Sequence, residues 1–166
     1  EGESMIYGWI IGGLAALDLG VKSVVEGQED DTFPRELPSA KGFIKLHKNH
    51  NSGFPFGFMK ERPELVKGIP LMVISAMAGA LAAMMQDRGK IGEKLGLSLV
   101  MGGALSNLYD RVVRGYVVDY FTIEWKSLKK VVFNLGDMFV FLGSAVFVLA
   151  QAVRSLEETG VKKKKK

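Results

Sequence analysis

Apolar residues along this chain gather into four long runs separated by charged connections, and the second and fourth are too uniformly apolar to form an amphipathic stripe. They cover residues 5–25, 68–85, about 91–109 and about 135–153. A hydrocarbon core about 30 Å thick takes roughly 20 mostly apolar residues in a helix, so each run reads as a span. The second holds no charge, and the fourth is apolar on every face beyond Asp137. The first is broken by Asp18 and Lys22. In the third, Glu93 and Lys94 are expected at the membrane interface and Asn107 near the far end. Residues 5–25 read as a retained span, because the run is too long for the apolar region of a signal peptide and lacks a basic flank and a small-residue cleavage site.

The expected fold is an all-α membrane protein with four transmembrane helices and a small extracytoplasmic segment between helices 1 and 2. That segment carries Thr32-Phe33-Pro34-Arg35-Glu36-Leu37-Pro38 and further short apolar stretches, which suit a small sheet or an interfacial helix better than a disordered linker. Residues 1–161 are expected to form one membrane-embedded domain and residues 162–166 a basic disordered tail. Four spans put both termini on one side. Arg88, Lys90 and Lys94 with the terminal lysines assign that side to the cytoplasm, although the other connections are also basic.

Composition changes this picture little. A length of 166 residues with 48% hydrophobic content and no cysteine fits one domain without a disulfide framework. Mean hydropathy is only +0.15 because the charged residues 26–67 are averaged with the spans. The net charge of +4 is concentrated in the lysines at 162–166, and no DNA- or RNA-binding motif accompanies it, so no nucleic-acid partner is expected.

An ionisable side chain within a membrane segment costs about 2.5–3.5 kcal/mol on insertion scales, so each one calls for a reason. Asp18 and Lys22 stand four residues apart, on one helical face, where an ion pair can fix the first helix against the bundle. Asn107 and Arg111 share a face in the same way, and their donors can orient a carboxylate. Asp119 lies just outside the third span and Asp137 enters the fourth, so antiparallel helices bring both carboxylates to one membrane face. Two close carboxylates do not both ionise easily; one keeps a proton while the other acts as a base toward water. Equally, Asp119 can cap a helix or strand turn and Asp137 the fourth helix. Spacing alone does not separate these readings.

The ordered blocks Asp18-x-x-x-Lys22, Asn51-x-Gly53-x-x-Phe56, Gly102-Gly103-Ala104 through Asn107-Leu108-Tyr109-Asp110-Arg111, Val118-Asp119 and Phe133-Asn134-x-x-Asp137 resemble those of the lipoprotein signal peptidases. They span most of the chain. The resemblance implies a monomeric, multi-pass aspartyl endopeptidase of the bacterial cytoplasmic (inner) membrane, with its active site toward the outer face. It further implies Asp119 and Asp137 as catalytic pair, with Asn107, Arg111 and Asn134 as polar residues around it. Asn51 and Gly53 match the segment that helps hold substrate, and Asp18, Lys22 and Asp110 supporting architecture. The implied partners are a diacylglyceryl-modified prolipoprotein and membrane lipid, with no metal or other cofactor.

The chain departs from the family pattern at Leu19, Val21, Ser106 and Gly136, and at Phe54-Pro55, which replace a small pair and point to altered substrate choice. Three other readings compete with it. A divergent or inactive relative would bind lipopeptides or another membrane protein, but Asp119 and Asp137 are intact. A channel or transporter would spread charges through the membrane depth, whereas here they gather near one face apart from Asp18. A soluble four-helix protein is at odds with the uncharged run at 68–85.

Overall fold

The computed structural model describes residues 2–54, 58–87 and 89–164. Pro55, Phe56, Arg88, Lys165 and Lys166, which figure in the expectations above, lie outside the described residues.

Each apolar run lies within or nearly coincides with a helix. Gly2–Glu26 forms α1, Pro63–Met84 α2, Ile91–Tyr109 α3 and Leu135–Lys164 α4. Segments Ser4–Glu26, Pro63–Met84 and Leu135–Thr159 are long and apolar enough to cross a membrane. α3 is not among them, and packing explains why. It is the central helix, touching α1, α2 and α4, and its buried residues include Glu93, Lys94, Ser98, Ser106 and Asn107. A helix covered by protein on several sides can carry polar groups provided its neighbours satisfy them, whereas the faces of α1, α2 and α4 turned outward cannot. Glu93 and Lys94 thus face inward rather than outward. Glu93 accepts a hydrogen bond from Arg154 Nε of α4 at 2.7 Å, and Lys94 Nζ lies 5.9 Å from the centre of the Tyr7 ring.

α3 and α4 meet backbone to backbone. A Cβ added at Gly96 would lie 2.6 Å from the Phe147 backbone nitrogen, so only glycine permits this approach. The same contact recurs nearer the other end, where Gly103 meets the Gly136 carbonyl.

The fold is mostly helical rather than all-α, because two connections combine into a sheet. Arg35–Glu36 (β1) and Ile44–Asn51 (β2) come from the first connection, Val117–Ile123 (β3) from the third, and the strands pair antiparallel in the order β1-β2-β3. β3 is rich in β-branched and aromatic residues, which suit a pleated, packed surface. Val117, Val118, Tyr120 and Thr122 are all buried. Between Leu46 and Asn49 the register shifts, so that Asn49 faces Asp119. Phe133 pairs with Phe121 as an isolated bridge. Its backbone N–H donates to the Phe121 carbonyl at 2.7 Å, laying the start of α4 alongside β3.

Candidate active site

Asp137 is the third residue of α4, and the residue before the helix is Asn134. The Asp137 backbone N–H donates to Asn134 Oδ1 at 2.9 Å, and the Asn134 N–H donates to Asp137 Oδ2 at 3.2 Å. This is a reciprocal capping box, which satisfies two of the donors a helix start leaves open. Capping and dyad membership are therefore compatible at Asp137. Since Asn134 Oδ1 is held by the Asp137 N–H, its amide nitrogen must face the other way, and Nδ2 donates to Asp119 Oδ1 at 2.7 Å. One fully buried asparagine thus holds both carboxylates.

Asp119 sits in the middle of β3 and is no helix cap. Its second oxygen, Oδ2, is approached by Asn51 Nδ2 at 3.4 Å, while Asn51 Oδ1 accepts the Gly53 N–H at 3.1 Å. Only 5% of Asp119 is exposed. Burial, the nearby Asp137 charge and the counteracting bonds from Asn134 and Asn51 together push its carboxyl up to about 6.

Asp137 Oδ1 accepts Asn107 Nδ2 at 3.0 Å. Arg111, on the π-helical turn Asp110–Arg114 after α3, reaches the Asn107 carbonyl at 3.3 Å and the Gly53 carbonyl at 3.4 Å. Its guanidinium stands 5.6 Å from the Phe54 ring centre, so Phe54 packs on a site residue. Its buried Nε has no hydrogen-bond partner among the described residues. Asn51, Asn107, Arg111, Asp119 and Asp137 line one cleft of about 620 Å³, together with His50, Lys60, Lys130 and the apolar Val131, Val132, Phe133 and Phe141.

Behind the cleft lies a second polar cluster. Lys22 Nζ contacts Asp18 Oδ2 at 2.9 Å, Asp110 Oδ2 at 3.0 Å, Ser106 Oγ at 3.2 Å and Asn107 Oδ1 at 2.7 Å, and Lys22, Asp18 and Asp110 have no exposed surface. Ser106 Oγ donates to Asp18, Arg114 pairs with Asp110, and the Val118 N–H donates to Asp110 Oδ2 at 3.1 Å. The Tyr120 hydroxyl, pushed up by burial, donates to Asp18 Oδ1 at 3.0 Å and accepts the Leu135 N–H at 2.9 Å.

The expected site residues Asn51, Gly53, Asn107, Arg111, Asp119, Asn134 and Asp137 therefore come together. The expected i,i+4 pair of Asp18 and Lys22 forms, and Asp110 joins it. Sequence reasoning missed the contact of Lys22 with Asn107 and the bridging roles of Ser106 and Tyr120. The stripe Gly103, Ser106, Asn107, Asp110, at helical spacing on the third span, held the first two. Among the described residues, no group of three or more His, Asp or Glu side chains is placed to hold a metal ion.

The profile of a family described as signal peptidase (SPase) II matches residues 10–153. Proteins named lipoprotein signal peptidase from Brucella ovis and Brucella abortus are each 30% identical over 141 residues, which covers 81% of this chain and 82% of theirs. A bacterial membrane enzyme solved by the in meso method at 2.3 Å resolution has the same fold, with a TM-score of 0.75 at 19% identity over 90% of this chain and 89% of that one. A second, solved at 1.9 Å, gives a TM-score of 0.73 at 20% identity, over 88% and 92%. With the profile running from α1 into α4 and relatives similar over four fifths of the chain, this protein belongs to the signal peptidase II family.

Proposed function

We propose that this chain is a membrane aspartic endopeptidase that removes signal peptides from diacylglyceryl-modified prolipoproteins, with Asp119 and Asp137 as the catalytic pair. The observation that carries this reading is the pair itself: two carboxylates from different elements, held by one asparagine, in one cleft with an apolar wall. A signal helix and a lipid chain need that wall, and peptide hydrolysis needs the pair.

One carboxylate keeps a proton and the other takes a proton from water, whose oxygen attacks the carbonyl carbon preceding the modified cysteine. The protonated partner donates to the carbonyl oxygen. Collapse of the tetrahedral intermediate breaks the C–N bond; the leaving amine takes a proton from the pair and a hydroxyl of the intermediate returns one to it, so the pair again carries one proton. Arg111, whose Nε beside the cleft has no partner among the described residues, offsets the one negative charge the pair retains. Asn51 and Gly53 hold the extended backbone of the substrate, with Phe54 fixed against Arg111 shaping what enters.

All four helices cross the bilayer in this reading, α3 shielded by the other three. The sheet and cleft lie at the outer face of the cytoplasmic membrane, and the start of α1 and the end of α4 lie toward the cytoplasm, on the side of Lys90. The protein acts as a monomer on substrate and surrounding lipid, with residues 162–166 outside the peptidase domain.

The test is cleavage of a diacylglyceryl-modified prolipoprotein by the purified protein in detergent or lipid, beside Asp119→Asn and Asp137→Asn. Cleavage by the parent and its loss in both variants is expected. Cleavage at the parental rate by either variant overturns the pair, and a folded parent that binds but does not cleave the substrate leaves the lipopeptide-binding alternative.

A further inference from the structure

The Lys22 cluster and the carboxylate pair meet at one side chain, Asn107. Lys22 has donors and no acceptor, so the Asn107 atom it touches at 2.7 Å must be the amide oxygen. The amide NH2 is thereby turned toward Asp137, which it meets at 3.0 Å. Lys22 itself cannot turn away. It is fully buried between Asp18 and Asp110, which are held in turn by Ser106, Tyr120, Arg114 and the Val118 N–H.

The two carboxylates are consequently served unequally. Both Asp137 oxygens accept from protein donors, Asn107 Nδ2 and the Asn134 N–H. Asp119 has one short bond, 2.7 Å from Asn134, and its other oxygen has only the 3.4 Å approach of Asn51. A proton on Asp137 Oδ1 would oppose an N–H that cannot rotate out of its way, whereas Asp119 Oδ2 has room for one.

Resting on the proposed aspartic mechanism, we infer that Lys22 is a positioning residue that acts through Asn107 to make Asp137 the ionised base and Asp119 the proton-bearing acid. Charge agrees with this assignment. Lys22 and Arg114 balance Asp18 and Asp110, leaving Arg111 to balance a pair that carries one proton. The charged and titratable groups around Asp137 are Asp119 from β3, Arg111 from the turn after α3 and Lys22 and Asp18 from α1, with His50 of β2, Lys60 and Lys130 lining the same cleft. Of these, Lys22 alone contacts the side chain that donates to Asp137 Oδ1.

The test removes the cation without leaving an unbalanced charge. In the double variant Asp18→Asn/Lys22→Met, Asn107 loses the contact that orients it and the cluster stays neutral. Cleavage of a diacylglyceryl-modified prolipoprotein is followed across pH with the intact protein in lipid. The acidic limb of the kcat profile is expected to move upward by about one unit or more and kcat to fall about tenfold, with KM within about twofold of the parent. Asn107→Leu gives the same shift, and combining it with the double variant adds nothing further.

A profile that matches the parent, or losses that multiply when the variants are combined, overturns the relay. Should the double variant fail to fold, infrared difference spectra at about pH 5 decide on parental background: the protonated-carboxyl band is expected to vanish in Asp119→Asn and persist in Asp137→Asn. The opposite pattern overturns the assignment. Failure of the aspartic reading itself is distinct, since it appears as cleavage surviving Asp137→Asn.

Discussion

Two pairs of acidic residues lie side by side at the sheet end of this bundle, and they are treated in opposite ways. Asp18 and Asp110 have no exposed surface, yet each oxygen accepts a hydrogen bond or ion pair, with Lys22 and Arg114 supplying two full positive charges. Asp119 and Asp137 are held by amides from Asn51, Asn107 and Asn134 and by one backbone N–H, with a single guanidinium beside them. A hydrogen bond from a full cation is stronger than one from a neutral amide, so the first pair is held more tightly than the second. The contrast separates acids that hold the fold from acids available for chemistry.

The largest break in that comparison comes from the second pair. Asp119→Asn and Asp137→Asn are each expected to lower the cleavage rate by about 10³-fold or more, while circular dichroism and membrane insertion match the parent. In the first pair the same kind of change should strike the fold instead. Asp110→Ala or Asp18→Ala leaves buried Lys22 short of a counter-charge, a loss of about 3–5 kcal/mol seen as a lowered Tm or failure to accumulate.

pH sharpens the comparison further. The Asp119 carboxyl moves from 3.8 to about 6 on folding, so the folded protein binds this proton more tightly than the unfolded chain. Its contribution to stability is fully present below 3.8 and is lost as pH rises through about 6, a difference of about 3 kcal/mol. Asp119→Asn is therefore expected to be more stable than the parent above pH 6 and to lose that advantage in acid, as thermal melts in one detergent across pH would report. No gain above pH 6 would mean that Asp119 is not strained by burial.

The smallest effect lies where the two pairs touch. Gly136→Ala puts a Cβ 2.8 Å from Asp18 Oδ2 and 3.0 Å from Asn134 Oδ1, so α4 must shift against α3. A cost of about 1–3 kcal/mol in melts, with a larger fractional loss of cleavage, is expected.

Helices α1, α2 and α4 were legible because long apolar runs leave few alternatives, and the less apolar run at 91–109 still coincides with α3. The i,i+4 geometry of Asp18 and Lys22 was legible for the same local reason. β3 was not, since a strand at 117–123 finds its partner at 44–51, and pairing over such a separation has no local signature. The carboxylate pair was suspected from its place beside two spans, but spacing did not decide it. What joins Asp119 to Asp137 is the Phe121–Phe133 bridge and the Asn134 amide, both tertiary. The inward turn of Glu93 was hidden for a similar reason: its partner Arg154 lies on another helix.

The capping box at Asn134 has a consequence for assembly in the cell. The amide that steadies Asp119 is oriented by the first turn of α4, so the two acids are brought into register only when that turn has wound. In the proposed mechanism, a chain whose last helix has not yet wound would hold both carboxylates without the register that hydrolysis needs.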